Sequence, residues 1–453
     1  MGWITLEQAA SWCGGRIDPK YAQVAFLGAN NDSRNIQKDQ LFIALQGARD
    51  GHDFIPSALK KGAAAVLCNH CDGDYPAIVV EDTRIALGQI ACEERKRIGM
   101  KVVGVTGSVG KSTTKEMIAC VLSGAYRVAK TPANHNNDIG MPMAVLSIPD
   151  DTQVAVLEMG MNHFREIAYL TNIALPDVAV IINIGTMHIE HLGSQEGILK
   201  AKLEILEGMQ PDGKVILNGD DPFLNGVHKK AVQPVTYFGS RNPDCDVRGA
   251  NVQQMEGQLS FTAQWENQSL PVELYMEGEH YVPDALAAIS VGLAMGVSPV
   301  SIRQQLASFR NLAGRQEILE QKGYTIIKDC YNAGPESMAA ALKVLGKKSG
   351  RHIAVLGDML ELGVCTQAEH YRVGRIAAEN ADIVLAYGPN SSRIINGALT
   401  GGMTETKALA FEDRDRLVEA LKRLAKPGDV MLFKGSHGMH MELALEKFLK
   451  DDT

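Results

Sequence analysis

The sequence has no apolar run of the roughly 20 residues that a membrane-spanning helix needs. Nor does it open on a secretory leader: Met1-Gly2-Trp3 leads straight into an amphipathic segment, without a basic stretch and an apolar core behind it. Both absences point to a cytoplasmic chain. An excess of basic residues is missing as well. With 45 Lys and Arg against 53 Asp and Glu, the net charge of −8 argues against non-specific nucleic-acid binding, which needs clustered cations. A local basic pocket around an anionic ligand stays compatible with that balance. Eight cysteines are scattered, and Cys68-Asn69-His70-Cys71 has no second Cys-x-x-Cys to complete a zinc site. Reduced thiols in a reducing compartment account for them. Low-complexity linkers, repeats of roughly 20–50 residues and a Ser- or Cys-based triad signature are also absent.

What is present is a strand–helix rhythm over 453 residues, enough for about two to four domains. Hydrophobic residues at 45% and charged residues at 22% are those of a soluble globular chain. Thr5 and Gln8 form a capping box for a first helix that Gly14-Gly15 ends. The apolar runs 41–45, 63–67 and 77–80 suit a small sheet, and a helix over 83–98 ends at Gly99. Strands are expected at 101–106, 154–158, 178–184, 214–218 and 235–238, with a helix from Glu196 to Met209. Alternation over 245–276 predicts antiparallel strands, followed by helices at 282–295 and 299–309. The rhythm then restarts with strands at 325–327, 353–356, 383–386 and 430–433. The expected fold is α/β in three domains: a small N-terminal one over 1–98, a central parallel-sheet domain over 99–313, and a C-terminal Rossmann-like domain over 314–453.

The most informative segment is Gly104-Val105-Thr106-Gly107-Ser108-Val109-Gly110-Lys111-Ser112-Thr113, which follows Val102-Val103 and leads into a helical pattern from Lys115 to Leu122. A strand, a glycine turn, Lys-Ser and a helix N-terminus make a phosphate cradle. Backbone N–H groups and the helix dipole attract the anion, lysine neutralises it, and the serine hydroxyl can hold magnesium. The pattern predicts a bound nucleoside triphosphate, in a shorter Gly-x-x-Gly-Lys-Ser form because Val105 stands where the longer motif has glycine.

Other polar groups fall at strand ends, where open α/β sheets place ligands. Glu158 leaves a strand as either a magnesium ligand or a helix cap. His188 ends the run from Ile181, and His188-Ile189-Glu190-His191 lacks a distant third ligand for zinc. Asn134-His135-Asn136-Asn137 suits hydrogen bonds to a polar ligand, or a plain turn. Lys202 lies mid-helix among apolar neighbours, where a snorkelling side chain is the simplest reading.

In order along the chain, several motifs resemble the Mur ligase family over all three domains. They are Thr106 to Thr113, Leu157-Glu158-Met159-Gly160, His188, Ala201-Lys202-Leu203-Glu204-Ile205, Gly314-Arg315, Asp329-Cys330-Tyr331-Asn332-Ala333 with Pro335 and Ser337, and Lys434-Gly435-Ser436. The resemblance implies an ATP-dependent amide-bond ligase of bacterial cell-wall precursor synthesis. Asn134 to Gly140, Tyr331-Asn332-Ala333 and Gly357 to Gly363, with no Asp-Asn-Pro-Arg segment, point further. They imply joining of D-alanyl-D-alanine to UDP-N-acetylmuramoyl-tripeptide through an acyl phosphate, with release of ADP and phosphate.

By the same resemblance, ATP meets Gly107, Ser108, Val109, Gly110, Lys111, Ser112 and Thr113, together with Asp284, Arg315 and Asp329. Ser112, Glu158 and His188 would hold two magnesium ions, joined by Lys202 if it is carbamylated; Lys111, Lys202, His188 and Glu158 form the catalytic set. Ser33, Arg34 and Gly47, in Asp32-Ser33-Arg34 and Leu45 to His52, correspond to the uridine-nucleotide site, with Asn134 and Asn137 also toward substrate. Arg315 and Asp329 reaching ATP from the third domain implies closure of that domain. Asp284 and Gly334 stand where similar ligases usually have Asn, and His437 where they have Arg; the last two fall near the presumed dipeptide pocket. The implied partners are small molecules, with neither nucleic acid nor membrane insertion, and the chain is expected to be a monomer. Rival readings are a third-residue-adding ligase, a folylpolyglutamate-type synthetase, a small-molecule kinase and a nucleotide-binding scaffold. A kinase would keep the γ-phosphoryl label on its substrate, whereas a ligase releases it.

Overall fold

In the computed structural model, residues 2–47, 49–227, 231–312 and 314–450 are described. The expected domain bounds 1, 313 and 453 lie outside them. The first helix, Leu6–Cys13, forms as its capping box requires: Thr5 Oγ1 accepts the Gln8 N–H at 3.2 Å and Gln8 Oε1 accepts the Thr5 N–H at 3.0 Å. Beside it, Ala29–Asn30, Leu41–Ile43, Ala65–Cys68 and Ala77–Val79 make a four-stranded parallel sheet. The helix Thr83–Ile98, capped by Asp82 and stopped by Gly99, fastens this unit to the next. Its Arg95 guanidinium donates to the carbonyls of Ala174 and Leu175 at 2.9 Å.

The central sheet has nine strands. Its parallel part runs, in spatial order, through Val128–Lys130, Val154–Glu158, Lys101–Thr106, Val178–Ile181, Lys214–Asn218 and Val235–Gly239. Buried on both faces, the inner strands read as continuous apolar runs. Val247–Met255 extends the sheet in parallel, and Gln258–Trp265 and Gln268–Leu274 then pair antiparallel. The C-terminal sheet has six strands. Glu317–Gln321 is antiparallel to Tyr324–Asp329, and Val430–Lys434, His352–Gly357, Ile383–Tyr387 and Ala408–Phe411 follow in parallel.

Two expected elements are shorter in the structure. The helix over 196–209 breaks after Leu203 into a 3-10 segment, Glu204–Gly208. Glu204 is the cause: its carboxylate accepts the N–H of Arg165 at 2.8 Å and of Ala168 at 3.1 Å, capping the helix Glu166–Ala174 from across the fold. The strand expected over 178–184 ends at Ile181, because the Asn183 amide is drawn into the phosphate loop. The strands Val128–Lys130, Glu317–Gln321 and Ala408–Phe411 are short or partly exposed and left no periodic signal. Removing the distant cap in Glu204→Ala should lower the thermal midpoint by roughly 2–4 °C, the shift expected for a lost cap of about 1 kcal/mol in a domain of this size. An unchanged midpoint in a melting scan would contradict that role.

Candidate active site

The strand Lys101–Thr106 turns through 107–110, and the helix Lys111–Ser123 begins behind Gly110, whose φ is 87°. Only glycine suits that position, since a Cβ would stand 2.8 Å from Asp284 Oδ1 and the backbone is left-handed. Asn183 pins the turn: its Oδ1 accepts the N–H of Ser108 at 3.0 Å and of Val109 at 2.9 Å, and its Nδ2 donates to Val109 O at 2.8 Å. With those two N–H groups engaged, a phosphate would rely on the first turn of the helix, whose N–H groups have no intrahelical acceptor. Lys111 Nζ folds back onto the carbonyls of Gly107, at 2.9 Å, and Ser108, at 3.2 Å. Burial pushes its ammonium pKa down, with Glu158 opposing that shift.

A cleft of about 420 Å³ opens between the central and C-terminal domains. From the central domain it is lined by Ser108 to Thr113, Asn134, Glu158, His188 and Asp284; from the C-terminal side by Arg315 and Asp329. Arg315 Nη2 donates to Ser112 Oγ at 2.9 Å, and its guanidinium lies 4.0 Å from the centre of the Tyr331 ring. Lys434 donates to Asp329 Oδ2 at 2.6 Å from the adjacent parallel strand. The third domain therefore already touches the phosphate loop.

Glu158 is 2% exposed; its Oε1 accepts from Asn136 Nδ2 at 2.8 Å, while Oε2 is buried with no hydrogen-bond partner. A buried carboxylate oxygen left open in a cleft that Ser112 also lines supplies the oxygen donors a hard divalent ion takes. Among the described residues no three His, Cys, Asp or Glu side chains converge to hold a metal alone. Magnesium would thus depend on Ser112, Glu158 and phosphate oxygens together. His188 Nδ1 lies 2.5 Å from Glu361 Oε2, so its Nε2 is the nitrogen left for an ion. Both residues have left-handed backbone, at φ 63° and 62°, a strain that tends to gather at functional sites.

Lys202 does not line the cleft. It is 1% exposed, makes no ion pair among the described residues, and burial reinforced by the like charge of Lys111 drives its pKa well below normal. The snorkelling reading fails on that burial. Asn137 is not brought to the cleft either: its Oδ1 accepts the Gly140 N–H at 2.7 Å, at the start of the helix Gly140–Val145. Ser33, Arg34 and Gly47 lie in the N-terminal domain, away from the cleft lining. Arg34 is exposed and pairs with Asp32 at 2.9 Å, an interaction that holds the Asp32 carboxyl at about 2. Sequence reasoning gave no separate role to Asn183, Asn136 or Glu361. All three sat inside quoted runs, but their partners are 22 to 173 residues away.

Comparison with known proteins decides what this cleft belongs to. Residues 24–105 match the family described as Mur ligase family, catalytic domain; 105–292 match the Mur ligase middle domain; 314–437 match the Mur ligase, glutamate ligase domain. The chain belongs to the Mur ligase family. A Bacillus subtilis protein named UDP-N-acetylmuramoyl-tripeptide–D-alanyl-D-alanine ligase is 39% identical, covering 97% of this chain and 96% of its own. The crystal structure of MurF from Acinetobacter baumannii superposes with a TM-score of 0.91 at 32% identity, covering 100% of both chains. MurF from Thermotoga maritima in complex with ADP gives 0.81 at 29% identity over 93% of this chain and 97% of its own.

In this Mur ligase, Asp284 packs beneath the phosphate loop, accepting the Thr114 hydroxyl at 2.7 Å, and desolvation raises its pKa to about 7. The folded state thus holds this proton more tightly than the unfolded one. The stability that the proton confers is full below about pH 4 and lost as pH rises through 7. Asp284→Asn keeps the Thr114 contact without the charge. The midpoint difference, variant minus parent, should grow from pH 5 to pH 8; a constant difference in paired melting scans would contradict the shift.

Proposed function

We propose that this Mur ligase joins D-alanyl-D-alanine to UDP-N-acetylmuramoyl-tripeptide, with ATP converted to ADP and phosphate. The observation that carries the reading is convergence on Ser112: the phosphate loop reaches it from the central sheet and Arg315 from the C-terminal domain, 2.9 Å away. Similarity to ligases of that name along nearly the full chain supports the substrate assignment.

The substrate carboxylate attacks the γ-phosphoryl group of ATP, and the acyl phosphate formed is attacked by the dipeptide amine to give the amide. Lys111 and the helix N-terminus bind the β- and γ-phosphates. Ser112, Glu158 and His188 would hold magnesium, which when bound screens the phosphate charge. Arg315 and the Asp329–Lys434 pair bring the C-terminal domain against the nucleotide and keep water from the acyl phosphate. Lys202 has no counter-ion among the described residues, and burial drives its ammonium pKa well below normal, which favours the unprotonated amine that takes up CO₂ as a carbamate. Ser33, Arg34 and Gly47 hold the uridine nucleotide, with Asn134 shaping the path toward the peptide. The chain works as a cytoplasmic monomer on small molecules. No helix among the described residues is long and apolar enough to cross a membrane.

Incubation with all four components should release phosphate and yield a product heavier by one dipeptide less water, read by mass spectrometry. Release without dipeptide incorporation would contradict the amine assignment. Lys202→Ala should lower turnover by about 100-fold, as loss of a metal-site group does, and added short carboxylic acids should restore part of it. Full activity in that variant would remove the carbamate.

A further inference from the structure

Lys115 is among the most deeply buried charged side chains of the described residues, at 1% exposure, one helical turn beyond Lys111. Its Nζ donates to Thr131 O at 2.8 Å and to Ala133 O at 3.3 Å, and lies 3.7 Å from the unpartnered Glu158 Oε2. Glu116 Oε1, at 3.4 Å, is the other carboxylate beside it, itself engaged by Lys130. Thr131 returns the connection: its Oγ1 accepts the Glu158 N–H at 3.1 Å. Two residues on, Ala133 is held at φ 43°, a left-handed conformation that alanine adopts only under constraint. That bend aims the chain so that Asn136 Nδ2 reaches Glu158 Oε1 and Asn136 O accepts the Gly160 N–H at 2.8 Å.

We propose that Lys115 is a positioning residue for the magnesium-binding carboxylate. It ties the loop helix, the bent segment 131–136 and Glu158 into one unit, and holds Glu158 Oε2 open toward the ion. The proposal rests on the reading of the cleft as a magnesium–nucleotide site. A cation spent only on packing would instead find its carboxylate at hydrogen-bond distance and leave no buried oxygen unpaired.

The test is calorimetric titration of ADP, with and without magnesium, into the parent chain, Lys115→Met and Lys115→Gln. Glutamine keeps amide donors for the two carbonyls and guards against a methionine variant that does not fold. Affinity without magnesium reports that the phosphate loop is intact and should change by no more than about twofold. The gain in ADP affinity on adding magnesium should shrink by about tenfold or more in both variants, the usual effect of removing a group that orients a metal ligand. Equal gains in the parent and in a folded variant would overturn the proposal alone. A parent chain that shows no gain would overturn the magnesium reading and the proposal with it.

Discussion

Parallel strands impose the constraint on which this molecule depends: side chains that leave them at their carboxyl ends all emerge on one edge of the sheet. The phosphate loop follows Thr106, Glu158 closes its own strand, and Asn183 and His188 lie just past Ile181. In the C-terminal sheet Asp329 and Lys434 end neighbouring strands in register. When two such edges face each other, the groups able to handle phosphate, a divalent ion and a carboxylate meet without any single segment carrying them all. The cleft is therefore a consequence of topology, and the sequence around each strand end only tunes it.

Charge burial does the tuning. Lys111, Lys115, Lys202 and Lys434 are all taken largely out of water, and they are not treated alike. Lys434 has a close carboxylate in Asp329, Lys115 has carbonyls with two carboxylates farther off, and Lys202 has neither among the described residues. Burial likewise pushes Asp284 toward its neutral form beneath the loop, so it adds little negative charge near the phosphate position. Lys111, held among the described residues only by the carbonyls of Gly107 and Ser108, is left where a polyanion would arrive. Taking an anion into such a site replaces a desolvation cost with ion pairing.

Much of this was legible in the sequence because the decisive signals are local. The glycine turn with Lys111 and Ser112, the capping box at Thr5, and the apolar runs of the inner strands each depend on neighbours a few residues apart. What stayed hidden depends on distant partners. Glu204 reads as one more residue in a helical pattern until Arg165 and Ala168 are seen to donate to it. Asn137 resembles a ligand-binding amide, yet its oxygen is spent on a helix start. The burial of Lys202 could not be told from snorkelling, because periodicity gives the face of a helix and not the depth of what covers it. The contact between His188 and Glu361 joins two domains, and no spacing rule reaches across that boundary.

The most direct test of the account is a crystal structure of the chain with a non-hydrolysable ATP analogue and magnesium. The β- and γ-phosphates should lie over the first turn of the helix Lys111–Ser123, with an ion touching Ser112 Oγ and Glu158 Oε2 and with Arg315 turned from Ser112 toward the nucleotide. Density for the nucleotide away from the loop, or an ion that leaves Glu158 untouched, would contradict it.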